Sequence, residues 1–307
     1  MTAIAFVHQT VLLNETVELV QPSEGRVIID GTLGGGGHTE ALLERGARVF
    51  GIDRDPRALA AASERLKRFG DRFTPVRGEF GDVANIVNLV TKQVDGFVLD
   101  LGVSSPQLDH AERGFSFMKD GPLDMRMSDE GETAAELIER LGENELADVL
   151  YEYGEERLSR PIARALKQRL PKTTFEAVEA VKAGMSRKAW PKDIHVATRT
   201  FQGLRIAVNR ELEQLERALA AIPSMLKVGG RAAIISFHSL EDRAVKHAFR
   251  ALCGEAPDDV PRGLPVVHTQ TANFKTLSKK PITAAEPEAS ENPRARSAKL
   301  RGVEKVS

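Results

Sequence analysis

Residues 26–40 read "RVIIDGTLGGGGHTE": a short apolar run, an acid, four consecutive glycines, then a histidine. An apolar run closed by an acid reads as a strand, and His38 stands where a helix is expected to begin. The glycines therefore form a strand-to-helix turn, which in a parallel sheet lies at the carboxyl edge where α/β folds bind ligands. Glycines let the backbone touch a ligand and adopt positive φ at no steric cost. Four in a row cost backbone entropy that an ordinary turn does not require.

The alternation continues outward. "RVFGIDRD" (48–55) is a second strand and "PRALAAASERLKRF" (56–69) a helix with proline in its first turn. "RFTPV" (72–76) is a third strand, which Pro75 assigns to an edge or an interruption. "VDGFVLDLG" (94–102) is the fourth and most apolar. This spacing predicts parallel strands with helices on both faces. The pattern stops after residue 102, and helical segments follow at 133–141, 143–153, 159–170 and 174–185. It resumes with Phe201, Leu204, Val208, Leu212, Leu215 and Leu219, read as one stripe of a long helix ending near Pro223. "RAAIISF" (231–237) is a fifth strand after the "GG" at 229–230. Residues 254–293 read as loop, and "RSAKLRGVEKV" (296–306) as an edge strand. The expected architecture is α/β and Rossmann-like, with a mostly parallel sheet. The sheet domain covers 1–108 and 198–307, and a small helical domain is inserted at 109–197.

Composition narrows the function. A net charge of −1 over 307 residues gives no global sign of a polyanion partner, so any such site must come from local clustering. One cysteine, Cys253, excludes an internal disulfide framework and a zinc ribbon, and suits a reducing cytosol. The start "MTAIAFVHQT" lacks the basic and apolar regions of a signal peptide, and no stretch approaches a membrane span. A soluble cytoplasmic protein is expected. The histidines are scattered and pair with no ligand-spaced acids, so no metal site is expected. Charge is segregated within the helical stretch: residues 157–192 hold ten basic residues against Glu176 and Glu179. Arg160, Arg164 and Lys167 share one face of a predicted helix and are candidates for RNA phosphates, with Arg294 and Arg296 as a second group.

The glycine turn fits either NAD or S-adenosylmethionine, and Asp53, ending the second strand, suits the ribose of both. Asp30 separates them. A pyrophosphate wants positive partial charge at the turn, whereas a carboxylate favours the amino group and sulfonium of S-adenosylmethionine. Asp30, Gly34 and Gly36 follow an acid-first order that departs from the dinucleotide G-x-G-x-x-G. Beyond the fourth strand, "LDLGVSSPQLD" (99–109) faces the reacting group. It has no thiol to add to a pyrimidine ring, so methylation at carbon 5 is disfavoured. Transfer to an exocyclic amine needs only hydrogen-bond acceptors, and Asp100, Ser104, Ser105 and carbonyls held by Pro106 qualify. Proline is expected to keep Ser105 extended. A nicotinamide-dependent oxidoreductase and a non-catalytic RNA-binding scaffold remain the rival readings.

Six blocks carry a more specific resemblance: "HQTVLLNETV" (8–17), "DGTLGGGGH" (30–38), "DLGVSSPQLDHAERGFSFMKDGPLDMRM" (100–127), "ATRTFQGLRIAVNREL" (197–212), "ISFHSLEDR" (235–243) and "NPRARSAKLR" (292–301). In this order they resemble the bacterial 16S rRNA cytosine-N4 methyltransferase family (RsmH, formerly MraW). The resemblance implies a class I methyltransferase fold with an inserted helical domain and S-adenosylmethionine as cofactor. It implies as substrate a decoding-centre cytidine, cytidine 1402, of 16S rRNA in the small ribosomal subunit. It also implies that Gly36, Gly37 and His38 meet the methionine portion, Asp53 the ribose and Phe80 the adenine, with Asp100 and Gln107 closing the pocket. A homodimer is left open. Phe115 and Phe117 are candidates to stack on a cytidine turned out of its helix. His238, past the fifth strand, is a candidate for contact with the target base. Ser239 with Asp242 resembles a helix N-cap, and Glu241, Asp242 and Arg243 read as a charged first turn.

Overall fold

The computed structural model describes residues 10–255 and 272–307. They form two compact units: one from the chain up to Gly102 with Leu212 onward, the other Val103–Glu211. The joins expected at 108/109 and 197/198 fall instead at 102/103 and 211/212.

In the first unit the chain runs α1 (Leu13–Val20), β1 (Val27–Asp30), α2 (Gly37–Glu44), β2 (Arg48–Asp53), α3 (Pro56–Leu66), β3 (Phe73–Arg77), α4 (Val83–Val90) and β4 (Val94–Asp100). The second unit contributes α5 (Ser105–Asp109), α6 (Ala134–Arg140), α7 (Glu143–Glu152), α8 (Ser159–Arg169), α9 (Thr174–Gly184) and α10 (Thr198–Asn209). The chain returns to the first unit through α11 (Glu211–Met225), β5 (Leu226–Ser236), α12 (Ser239–Leu252), β6 (Phe274–Thr276), α13 (Glu286–Glu291) and β7 (Lys299–Lys305).

The sheet order is β3-β2-β1-β4-β5-β7-β6. The first five of these strands pair in parallel, while β7 runs antiparallel to both β5 and β6. This order, with an antiparallel strand slotted beside β5, is that of the class I methyltransferases. β3 is an outer strand, as its proline requires. Alternate residues serve opposite faces, the two-residue period of a sheet buried on both sides. Ile29, Phe97, Leu99 and Ile234 join one core with Leu215, Ile222 and Phe249. Ile28, Val98 and Ile235 join the other with Val17, Leu42 and Leu66. Each such side chain, fully buried, contributes about 1.5–3 kcal/mol.

Several expectations are corrected. The 201–219 stripe spans two helices, because Arg210 takes a left-handed conformation (φ 52°) that ends α10, and Pro223 lies inside α11. β5 starts at Leu226, with an irregular register against β4 between Val94 and Gly96 that carries the strand through the 229–230 glycines. The 254–293 stretch read as loop contains β6 and α13; its residues 256–271 lie outside those described, as does His8 of the first resemblance block. β7 is flanked on both sides, and β6 is the outer strand. Ser105 is not extended but opens α5, where Pro106 occupies a first turn that needs no proline N–H. No helix among the described residues is long and apolar enough to cross a membrane.

Candidate active site

Three neighbouring parallel strands end in the same residue type: β1 in Asp30, β2 in Asp53 and β4 in Asp100. Pairing of Asp30 with Gly51 on one side and Val98 on the other sets these ends side by side. Asp30 is buried; its Oδ2 accepts from the Thr39 hydroxyl at 2.7 Å and its Oδ1 from the Thr32 N–H at 3.1 Å. Burial, with a smaller push from the Asp53 charge, raises its pKa to about 6. Asp53 accepts from the N–H groups of Gly34 (2.9 Å) and Asp55 (2.8 Å), which leaves lone pairs on both oxygens for further donors. Burial raises its pKa as well.

Asp100 is the least compensated of the three. Its N–H donates to the Thr32 hydroxyl at 2.6 Å, and its Oδ2 lies 3.8 Å from His38 Nδ1. Its Oδ1 is buried and has no hydrogen-bond partner among the described residues. Burial above all, then the charges of Asp30 and Glu241, push its pKa up to about 8 against the opposing charge of Arg294. A buried acceptor without a donor costs about 1–3 kcal/mol, a cost that a ligand bringing a donor or a positive charge relieves.

The four glycines serve separate purposes. Gly34 (φ 48°) and Gly36 (φ 80°) occupy the left-handed region, and Gly36 is the N-cap of α2. A Cβ on Gly37 would sit 1.9 Å from the Thr10 hydroxyl. Gly35 answers to neither constraint: its φ lies outside that region and a Cβ there would meet nothing within 4 Å. Protein packing does not explain a bare backbone at Gly35, and a glycine there leaves room for close approach by a ligand. The resemblance did not assign this residue.

His38 is buried at the start of α2, with Nε2 3.2 Å from the Val11 carbonyl. Phe80 follows β3 and borders Gly31, where a Cβ would lie 3.2 Å from Phe80 Cβ and 2.5 Å from a Leu99 methyl. His238 is the N-cap of α12, in place of the expected Ser239, and Glu241 completes the capping box. Glu241 lies in the acidic first turn of α12, as expected; it is buried and accepts from the Phe237 N–H at 2.9 Å. His238 Nδ1 caps the helix by accepting from the Glu241 N–H at 3.5 Å, while its Nε2, 3.1 Å from Glu241 Oε1, makes no hydrogen bond among the described residues. Asp242 is spoken for by Arg301 (2.7 Å) and Lys299 (3.1 Å). Arg294 is half-buried, and its charge acts on Asp100; Arg296 instead donates to the Ala289 carbonyl at 3.0 Å. Thr32 and Thr39 were missed in the sequence, and Glu241 was read there only as a first-turn charge. Only Glu241 left a signal there, three residues after a capping residue.

The other expected residues belong to the second unit. Gln107 is buried and its Oε1 accepts from the Ser104 N–H at 2.8 Å. Ser105 and Pro106 open α5. Phe115 is buried in that unit's core beside Leu123, Met125 and Leu137, so it cannot stack on a base. Phe117 already stacks on His195, with ring centroids 4.3 Å apart and planes inclined by 15°. Of the basic face on α8, Lys167 donates to the carbonyls of Ile138 and Glu139 (2.9 Å each) and Arg164 pairs with Glu143 (3.1 Å). Arg160 is exposed.

Three carboxyl groups crowded at one sheet edge disfavour a second anion and favour a cation. A pyrophosphate fits this edge poorly. A ligand carrying a sulfonium and an ammonium, with a ribose to engage Asp53, fits it. A profile of the MraW methylase family matches residues 5–306. The "Ribosomal RNA small subunit methyltransferase H" of Myxococcus xanthus (strain DK1622) is 60% identical over 307 residues, covering 100% of each chain. The protein of the same description from Anaeromyxobacter sp. (strain Fw109-5) is 56% identical over 310 residues, 98% of each chain. That from Geobacter sp. (strain M21) is 48% identical, over 98% of this chain and 99% of its own. The methyl donor is S-adenosylmethionine, whose positive charge suits the aspartate edge. A match over almost its whole length means that the chain belongs to the MraW methylase family.

Proposed function

We propose that this methylase modifies the N4 exocyclic amine of a cytidine in the decoding centre of 16S rRNA, cytidine 1402, within the small ribosomal subunit. Transfer is direct, without a covalent enzyme–base intermediate. The observation that carries methyl transfer is the buried, partnerless Asp100 Oδ1 at an edge of three aspartates. The names of relatives up to 60% identical support a small-subunit rRNA as substrate.

The residues divide the work. Asp53 accepts from the ribose hydroxyls, and Phe80 lies along the adenine. The backbone at Gly35 lets the ligand approach closely, and Asp30 with Asp100 face its positive groups. Bound S-adenosylmethionine would supply an electrophilic methyl group to the amine nitrogen, with neutral sulfide as the leaving group and the amine's proton lost to water. Addition of a thiolate to the ring would need a reactive cysteine. Cys253, the chain's one cysteine, closes α12, and burial with the nearby Glu255 charge raises its pKa, which opposes thiolate formation.

The test is to incubate small subunits from cells lacking the enzyme with labelled S-adenosylmethionine and to map the modified nucleotide by mass spectrometry. One methyl on N4 of cytidine 1402 is expected. Label on carbon 5, on an adenine or on no rRNA nucleotide refutes the proposal.

A further inference from the structure

The second unit presents an aromatic surface that the methyl-transfer chemistry does not use. His195 is exposed, yet its ring is held in place. One face stacks on Phe117, and Phe117 is braced edge-on by the buried Phe201 at 5.3 Å and 88°. Its Nδ1 accepts from the Ala197 N–H at 3.3 Å, and its carbonyl accepts from the Thr198 N–H at 3.0 Å, where α10 begins. The Nδ1 contact leaves the proton of the neutral ring on Nε2. Partial burial, then the charge of Lys182, lower the pKa of His195 and favour that neutral form. The result is a flat, pre-positioned ring whose second face is not covered by Phe117.

The charges along the same segment are one-sided. Arg187, Lys188, Lys192 and Arg199 are exposed and form no ion pair among the described residues; Arg187 lies over the Trp190 ring at 5.8 Å. Lys182 is already paired with Glu179 at 2.7 Å. Asp193 is the only acid between Ala180 and Arg210. Unpaired cations interleaved with an exposed aromatic ring are what a single-stranded nucleic acid requires: cations for its phosphates and a π-face for a base.

We propose that the open face of His195 stacks an unpaired base of the RNA substrate, while Arg187, Lys188, Lys192 and Arg199 hold the adjoining phosphates. The proposal rests on the rRNA reading for the identity of the strand and adds the part of the insertion that receives it. A base splayed from a structured RNA would meet here a ring whose ordering cost has already been met by Phe117, Phe201 and the α10 backbone.

The test measures polarisation of a fluorescein-labelled, unstructured RNA of about 15 nucleotides, and of the same strand in a duplex, on the full-length protein. His195→Ala should weaken the single strand by roughly tenfold, within the range for loss of one stacked base, and the duplex much less. His195→Phe should restore most of the loss, because it keeps the π-face. Lys188→Glu with Lys192→Glu should weaken both forms and reduce the salt dependence by about two counterions. All variants should bind S-adenosylmethionine as the parent does. The proposal fails if His195→Ala binds the single strand like the parent, if His195→Phe is as weak as His195→Ala, or if the parent binds no RNA. The two readings fail separately. Loss of RNA binding in His195→Ala, in a protein that methylates no rRNA, upholds the platform and refutes the rRNA reaction. Methylation of the subunit with unchanged KM in His195→Ala does the reverse.

Discussion

If Asp100 faces the cofactor as proposed, a proton and the cofactor compete for one carboxyl group. An unfolded carboxyl titrates near its ordinary 3.8, whereas in the folded protein burial and two acidic neighbours hold this one near 8. Between those values the folded state keeps a proton that the unfolded chain has lost, so the ligand-free protein loses stability as pH rises through that window. A bound cation favours the carboxylate and expels the proton. Affinity for S-adenosylmethionine should therefore climb with pH, by at most about tenfold per unit, and level off above about pH 8. Calorimetric titrations in buffers of different ionisation enthalpy would show the released proton. Asp100→Asn should flatten the upper part of the climb and leave a weaker dependence from Asp30 nearer 6. A wild-type profile that is flat throughout would contradict this account. Gly35 gives an independent test. Gly35→Ala meets no protein atom and should stabilise the ligand-free fold by about 0.4–1 kcal/mol through the unfolded chain. The same methyl group should weaken S-adenosylmethionine by about 5- to 150-fold, to judge by the ~1–3 kcal/mol cost of overpacking. Unchanged affinity would show that the ligand does not rest on this turn.

At the scale of elements, the helices of the insertion were legible because their signals are local. Thr133 with Glu136 and Thr173 with Glu176 form the capping boxes that open α6 and α9, within two residues of the expected starts. The long helix across 201–219 was misjudged because apolar periodicity runs on through Arg210, and nothing in the local pattern marks a left-handed residue there. Close helix approach was equally hidden. A Cβ on Gly154 would sit 2.4 Å from the Arg199 carbonyl and 2.6 Å from that of Leu150, and Gly203 faces Gly154 from α10. Gly154→Ala should thus force α7 and α10 apart and destabilise the second unit by about 1–3 kcal/mol. Urea unfolding followed by far-UV circular dichroism reads this directly. A variant as stable as the parent would mean that the contact yields without strain. Burial explains the aromatic corrections too: Phe115 and Phe117 stand in a loop-like stretch, but that stretch folds over the second unit's core, with Asn209 clamping it through the Met125 carbonyl and the Met127 N–H.

At the scale of the molecule, Asp30, Asp53 and Asp100, on which the proposed cofactor site is built, belong to the unit that holds the sheet, so ligand binding should raise that unit's transition. Calorimetry of the full chain with S-adenosylmethionine at a hundred times its dissociation constant should show about 2.7 kcal/mol of added stability. NAD should add none, and a shift with NAD alone would return the site to the oxidoreductase reading. The sequence alone determined the strand–turn–helix rhythm, the helical interruption, and a glycine turn opened by an acid. These follow from side-chain period, backbone conformation and capping, which act over a few residues. Only the tertiary structure decided that Asp30, Asp53 and Asp100 share one edge, that β7 lies inside the sheet, and which arginines and lysines are already paired. Those outcomes depend on strand register and on neighbours distant in the chain, and a carboxyl group's charge is set by the company it keeps in space.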